Sequence, residues 1–138
     1  MQSLFAIIES FEMIKIKRAY EKPSEDDGYR ILVDRLWPRG IAKNKAKIDL
    51  WLKQVSPSNE LRKWFSHDLE KWNEFKERYH SEIKSEKTSL QKIKQIENEN
   101  KIITLVYAAK DDKHNNAIFL LDELKKLGKM EFPKNENL

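Results

Sequence analysis

Apolar and basic positions alternate in Met13-Ile-Lys-Ile-Lys17, the period of two expected of a strand with one covered face. A first strand therefore falls at about residues 13–19. The unbroken run Ile31-Leu32-Val33 predicts a second strand buried on both faces and ended by Pro38. "IITLVY", Ile102 to Tyr107, is β-branched and apolar, which suits the central strand of a parallel sheet. Between them, Ile48, Leu50 and Leu52 fit a short strand while Trp51 fits a helical turn. The periodicity leaves both open.

Elsewhere the spacing is helical. Ser56-Pro57 reads as an N-cap followed by proline in the first turn, with Leu61, Trp64 and Phe65 at i, i+3 and i+4 behind it. Asp68 is placed as the next N-cap, and Leu69, Trp72, Phe75, Tyr79 and Ile83 keep spacings of three and four. Thr88 to Gln91 has the form of a capping box, leading a stripe of Leu90, Ile93 and Ile96 that "ENEN" at 97–100 ends. Ala117, Leu120, Leu121, Leu124 and Leu127 mark a last helix closed by Gly128.

Strands alternating with helices predict an α/β class: a small, mostly parallel sheet with helices on both faces, in a single domain over 13–128. Residues 1–12 are expected to be an extension outside the domain, or a short arm packed on it. Residues 129–138 are expected to be a frayed tail. The first twelve have no basic region ahead of their apolar patch, so they make a poor signal peptide, and no stretch is long enough to span a membrane.

Composition narrows the chemistry more than the fold. At 138 residues, the chain is long enough to bury roughly two thirds of its unfolded surface in one core. There are 27 Lys and Arg against 23 Asp and Glu, a net charge of +4, with the signs interspersed. Such a surface tolerates nucleic acid or another anion without demanding one. With no cysteine, disulfides, thiolate metal sites and thiol nucleophiles are excluded, which fits a cytoplasmic protein. Three glycines are too few for a Walker loop or a dinucleotide fingerprint, so no nucleotide cofactor is expected. His67, His80 and His114 have no paired metal spacing, and no metal site is expected. No G-x-S-x-G elbow is present.

What remains is an anion-binding constellation on two loops. "DRLWPRG" follows the second strand, where Arg35 and Arg39 can grip a carboxylate or phosphate and Asp34 can orient one of them or act as a base. "YAAKDDKHNN" follows the last strand and offers Tyr107, Lys110, Asp111, His114 and Asn115 near a helix start. In parallel sheets ligands bind where such loops meet beyond the carboxyl ends of the strands. The expected ligand is a small phosphorylated or carboxylated molecule; if the site is catalytic, Asp34 or His114 is the acid or base.

Each residue also has a structural reading. Asp34 can fix its own turn by pairing with an arginine, with Trp37 and Pro38 plugging the sheet end. Asp111 or Asp112 can serve as an ordinary helix cap. In "WFSHDLEKW", Trp64, Phe65 and Trp72 are spaced like core, and the reading favoured there is that His67 simply finishes a helix. The alternative function is a nucleic-acid or protein binding module without catalysis, carried by exposed tryptophans and the basic stretch Lys43, Lys45 and Lys47.

Three blocks, "YRILVDRLWPRGIAK", "WLKQVSPSNELRKWFSHDLEKWNEF" and "LVYAAKDDKHNNAIFL", together resemble the bacterial YeaO-like proteins of the domain of unknown function 488. The resemblance runs from Met13 to Leu127. It implies a cytoplasmic α/β domain and carries no settled activity. A related branch of the broader family has a cysteine at the position of Tyr107 and a Cys-His-Arg run at the positions of Asn115, Asn116 and Ala117. Thiol chemistry does not transfer to this cysteine-free chain, but the resemblance points again to the loop after the last strand.

Overall fold

The computed structural model describes residues 13–128; the segments 1–12 and 129–138, expected to be an extension and a tail, lie outside them. Four strands form one sheet: β1 Met13–Arg18, β2 Tyr29–Leu32, β3 Leu50–Trp51 and β4 Ile102–Tyr107. Their order is β1-β4-β2-β3 and every pairing is parallel. β4 is thus interior, as its β-branched run requires. The described residues also form five α-helices: α1 Lys43–Ala46, α2 Asn59–Phe65, α3 Trp72–Ile83, α4 Lys87–Asn100 and α5 Asn116–Leu127.

The alternation along β4 separates two cores. Ile103, Leu105 and Tyr107 join Ile31 and Val33 in the main cluster, with Leu61 and Phe65 of α2, Phe75 and Tyr79 of α3, Ile93 of α4 and Leu120 and Leu124 of α5. On the opposite face Leu32, Val106 and Ala19 are covered by Trp37, Ile41, Ile48 and Trp51. Among the described residues helices lie on both faces, then, but unequally: four pack on one, and the other has the single turn of α1.

That second face carries a buried polar knot. Arg30 reaches Asp27 at 2.6 Å and the carbonyls of Ala46 and Lys47, while Lys17 meets Asp27 from β1 at 3.1 Å. Gly28, between Asp27 and β2, has φ +63, and an added Cβ would stand 2.1 Å from the Ile102 carbonyl oxygen. Only glycine lets the strand start so close to its neighbour.

Several helix ends differ from the expected ones. The cap of α2 is Ser58, two residues later than Ser56, because Ser58 Oγ accepts from the Leu61 N–H and is itself held by Glu82 of α3. Asp68 caps a 3-10 turn, Leu69–Lys71, that runs into α3. Leu69 is 57% exposed and leaves the expected apolar stripe. α4 has no capping box; it follows α3 through a 3-10 turn, Lys84–Glu86, and runs through residues 97–100 to Lys101, whose φ is +68. The ambiguous stretch after Ile48 is a short strand that includes Trp51, not a helical turn carrying it; a 3-10 turn, Lys53–Val55, follows the strand.

Candidate functional site

β2 and β4 are neighbours, but the chain leaves them toward opposite faces. After β2 it passes to Trp37, Ile41 and α1 on the thinly covered face, and after β4 it passes to α5 on the helical face. Loops that part in this way leave a crevice beyond the strand ends. A groove of about 1110 Å³ opens there.

Its walls come chiefly from four segments, with Pro57 and Phe75 beside them. Arg18 ends β1 and Tyr20 follows it, Asp34 to Arg39 follow β2, Arg62 to His67 close α2, and Ala108 to Asn116 follow β4. Arg18 donates from Nε to the Ala109 carbonyl at 2.9 Å and stacks its guanidinium over the Tyr20 ring. Tyr20 in turn donates to the Arg39 carbonyl at 2.8 Å. Arg35 is turned toward the start of α2, donating from Nε to the Pro57 carbonyl at 3.0 Å. Ser66 and His67 both have positive φ, 43 and 57, an uncommon pair of left-handed residues that turns the end of α2 at the groove rim.

Asp34 is the structural hinge of the site. Its two carboxylate oxygens accept from Asn116 Nδ2 and from the Ala108 N–H, both at 2.9 Å. Its backbone carbonyl accepts from the Trp51 indole at 2.7 Å. It pairs with no arginine, as the structural alternative had it, and instead ties the β2 loop to the β4 loop. Burial pushes its carboxyl above the ordinary value, against the Asn116 and Ala108 N–H groups and the nearby Arg62 charge, which pull it down.

In the β4 loop neither Asp111 nor Asp112 caps α5. Asn115 is the cap, accepting from the Ile118 N–H at 2.9 Å, and it is buried. Asp111 instead closes the preceding turn, accepting from the N–H groups of Lys113 and His114, with His114 Nδ1 at 3.0 Å. The Lys113 N–H and then His114 hold its carboxyl below the ordinary value. The His114 ring stands edge-on to Trp72.

Of the residues expected from sequence, Asp34, Arg35, Arg39, Lys110, Asp111, His114 and Asn115 all line the groove. Tyr107 does not: it faces the main core and is 3% exposed, because in β4 it shares the inward parity of Ile103 and Leu105. Sequence reasoning missed Arg18, Tyr20, Arg62, Lys63 and Ser66, and set His67 aside as a helix end. Arg62-Lys63 is an ordinary basic ending of a short helix. Only the direction in which α2 runs brings it to the rim.

The charge balance of the groove is lopsided. Six cationic side chains line it, Arg18, Arg35, Arg39, Arg62, Lys63 and Lys110, against the carboxylates Asp34 and Asp111. None of the six takes part in an ion pair among the described residues. Arg39, Lys63 and Lys110 also make no side-chain hydrogen bond there, whereas Arg18, Arg35 and Arg62 each donate to a nearby oxygen. Lys43, Lys45 and Lys47 are exposed around α1 and do not line the groove. No group of metal-ligating residues occurs among the described residues, and no helix there is long and apolar enough to cross a membrane.

The chain is 40% identical over 114 residues to the uncharacterised protein YeaO of Escherichia coli, covering 83% of this chain and 98% of that one. It is 46% identical over 70 residues to the uncharacterised proteins Mb3100c of Mycobacterium bovis and Rv3073c of Mycobacterium tuberculosis, covering 51% of this chain and 59% of each of those. No solved structure matches. A family model described as the inactive DUF488-N3 subclade matches residues 13–137, and the chain therefore belongs to this YeaO-like branch of the domain of unknown function 488.

Proposed function

We propose that the protein binds a small phosphorylated or carboxylated molecule in the groove at the strand ends, without converting it chemically. The observation that carries this reading is the unneutralised charge: six cations against two carboxylates, with no ion pair to any of the six among the described residues. Like charges held together in a crevice destabilise one another and concentrate anions. Guanidinium groups present paired donors that match carboxylate and phosphate oxygens. Arg39, at an exposed turn and with its donors unengaged, is the first contact.

Binding is favoured over catalysis because the two groups expected to move protons are engaged in holding the loops. Both oxygens of Asp34 accept N–H groups, and His114 is fixed by Asp111 and Trp72. The description of the subclade as inactive supports the same reading. A reducing, cytoplasmic setting, suggested by the cysteine-free sequence, makes a cytoplasmic metabolite the natural ligand. The nucleic-acid alternative has no comparable support: all four tryptophans are half-buried, and Trp37 and Trp51 already donate to the carbonyls of Ile41 and Asp34.

The test is a thermal-shift titration with inorganic phosphate and a panel of phosphorylated and carboxylated metabolites, on the parent and on Arg39→Ala. At a ligand concentration about 100 times Kd, binding stabilises the parent by about 2.7 kcal/mol, a rise of several degrees in Tm. The variant should lose most of that rise. A parent that no anion stabilises, or a variant that responds as the parent does, overturns the proposal.

A further inference from the structure

The cations occupy only part of this groove. Its lining also includes Tyr20, Leu36, Trp37, Pro38, Phe65 and Phe75, and apolar atoms of this kind do nothing for a bare phosphate. Two of them stand out. Among the described residues only five large hydrophobic side chains are strongly exposed, and both Tyr20, at 46%, and Leu36, at 57%, are at this groove. Leu36 lies between Arg35 and Trp37, in a loop whose neighbours are all otherwise engaged: Arg35 on Pro57, Trp37 on Ile41. Nothing in the main or the minor core holds Leu36. Together Leu36 and Tyr20 give the groove an exposed apolar side, and it is grouped apolar surface of this kind, rather than a lone exposed residue, that marks a ligand-binding groove.

Size points the same way. A groove of about 1110 Å³ is slightly larger than the roughly 300–1,000 Å³ of sites that hold organic ligands of tens of atoms, which are lined mainly by apolar side chains with a few polar groups to fix orientation. We infer, resting on the anion-binding reading above, that the ligand is an organic anion with an apolar body. The anionic group meets Arg39, Lys110 and Arg62, and the body lies against Leu36 and Tyr20. The apolar surface supplies affinity that exposed charges alone do not, since surface ion pairs contribute little in water.

Calorimetric titration with inorganic phosphate, phenyl phosphate and phenol separates the two contributions, using the full chain and the variant Leu36→Ser, whose exposed position leaves the core intact; matching Tm values for the two unliganded proteins verify this. Phenyl phosphate is expected to bind at least about tenfold tighter than inorganic phosphate, with a more negative heat-capacity change, while phenol alone does not bind measurably. In Leu36→Ser the ratio of the two phosphate affinities should fall several-fold. Equal affinities for phosphate and phenyl phosphate would overturn the apolar-body inference and leave anion binding standing. A gain that survives in Leu36→Ser would overturn the placement of the body. Binding of phenol as tight as phenyl phosphate, or no binding of either phosphate, would overturn the anion reading itself.

Discussion

Asp27 and Asp34 are carboxylates at the two ends of β2, and their surroundings move their protonation in opposite directions. Burial raises the Asp27 carboxyl, but the Ser24 N–H, Lys17 and Arg30 together outweigh it and hold it below 3.8. The unfolded chain therefore takes up that proton first as pH falls, so the stability Asp27 contributes is present above pH 3.8 and is lost as pH drops through its lower folded value. Asp34 is raised above 3.8, chiefly by burial. Its contribution is full below that pH and falls as pH rises through the folded value. Urea unfolding measured from acid to neutral pH should accordingly show a flatter acid limb for Asp27→Asn than for the parent, and a steeper one for Asp34→Asn. The same slope in all three proteins would contradict both assignments. At this scale the sequence identifies the residue types that can bind or titrate, but not their partners. Asp34 looks like a base and serves as a tie between loops; Asn115 looks like a ligand and serves as a cap.

The helices show why local patterns place elements well and their ends less well. The apolar stripes of α3, α4 and α5 are set by a period of 3.6, and their inner residues Phe75, Tyr79, Ile93, Leu120 and Leu124 are all buried. The ends depend on which polar group wins a free N–H. Ser56 and Ser58 are equally good caps on paper. Glu82 decides between them, because it arrives from α3, distant in sequence, and grips both the N–H and the hydroxyl of Ser58. Ser58→Ala should thus cost about 1 kcal/mol or somewhat more, read from the urea midpoint at constant slope. Ser56 is tied only to the Lys53 carbonyl through its hydroxyl. If Ser56→Ala proves the more damaging of the two, the cap has been misplaced.

Across the whole molecule, the proposed function rests on an unequal layering. Among the described residues four helices cover one face of a small sheet and one helical turn with two tryptophans covers the other, and the chain leaves β2 and β4 toward opposite sides, with a crevice between them. The cations gathered there come from β1, from the β2 and β4 loops and from the end of α2. Their attraction for an anion is electrostatic and near solvent, so it should weaken as salt rises: the Debye length falls from about 30 Å at about 0.01 M to about 10 Å at about 0.1 M. Phosphate affinity measured across that range should drop steadily. Affinity that does not respond to salt would mean that these charges do not carry the binding.

The sequence by itself determined what depends on near neighbours along the chain: the strands, the helical stripes, the parallel α/β class and the two loops at the strand ends, since periodicity and turn chemistry act over a few residues. The absence of cysteine also excluded thiol chemistry, and three glycines argued against a Walker loop or a dinucleotide fingerprint. Only the tertiary structure decided that Arg18, Arg62 and Lys63 join Arg35, Arg39 and Lys110, that Tyr107 turns inward, and that Asp34 ties the loops together. Those outcomes rest on the strand order β1-β4-β2-β3 and on the direction of α2, which are set by packing between residues far apart in sequence and leave no local mark on it.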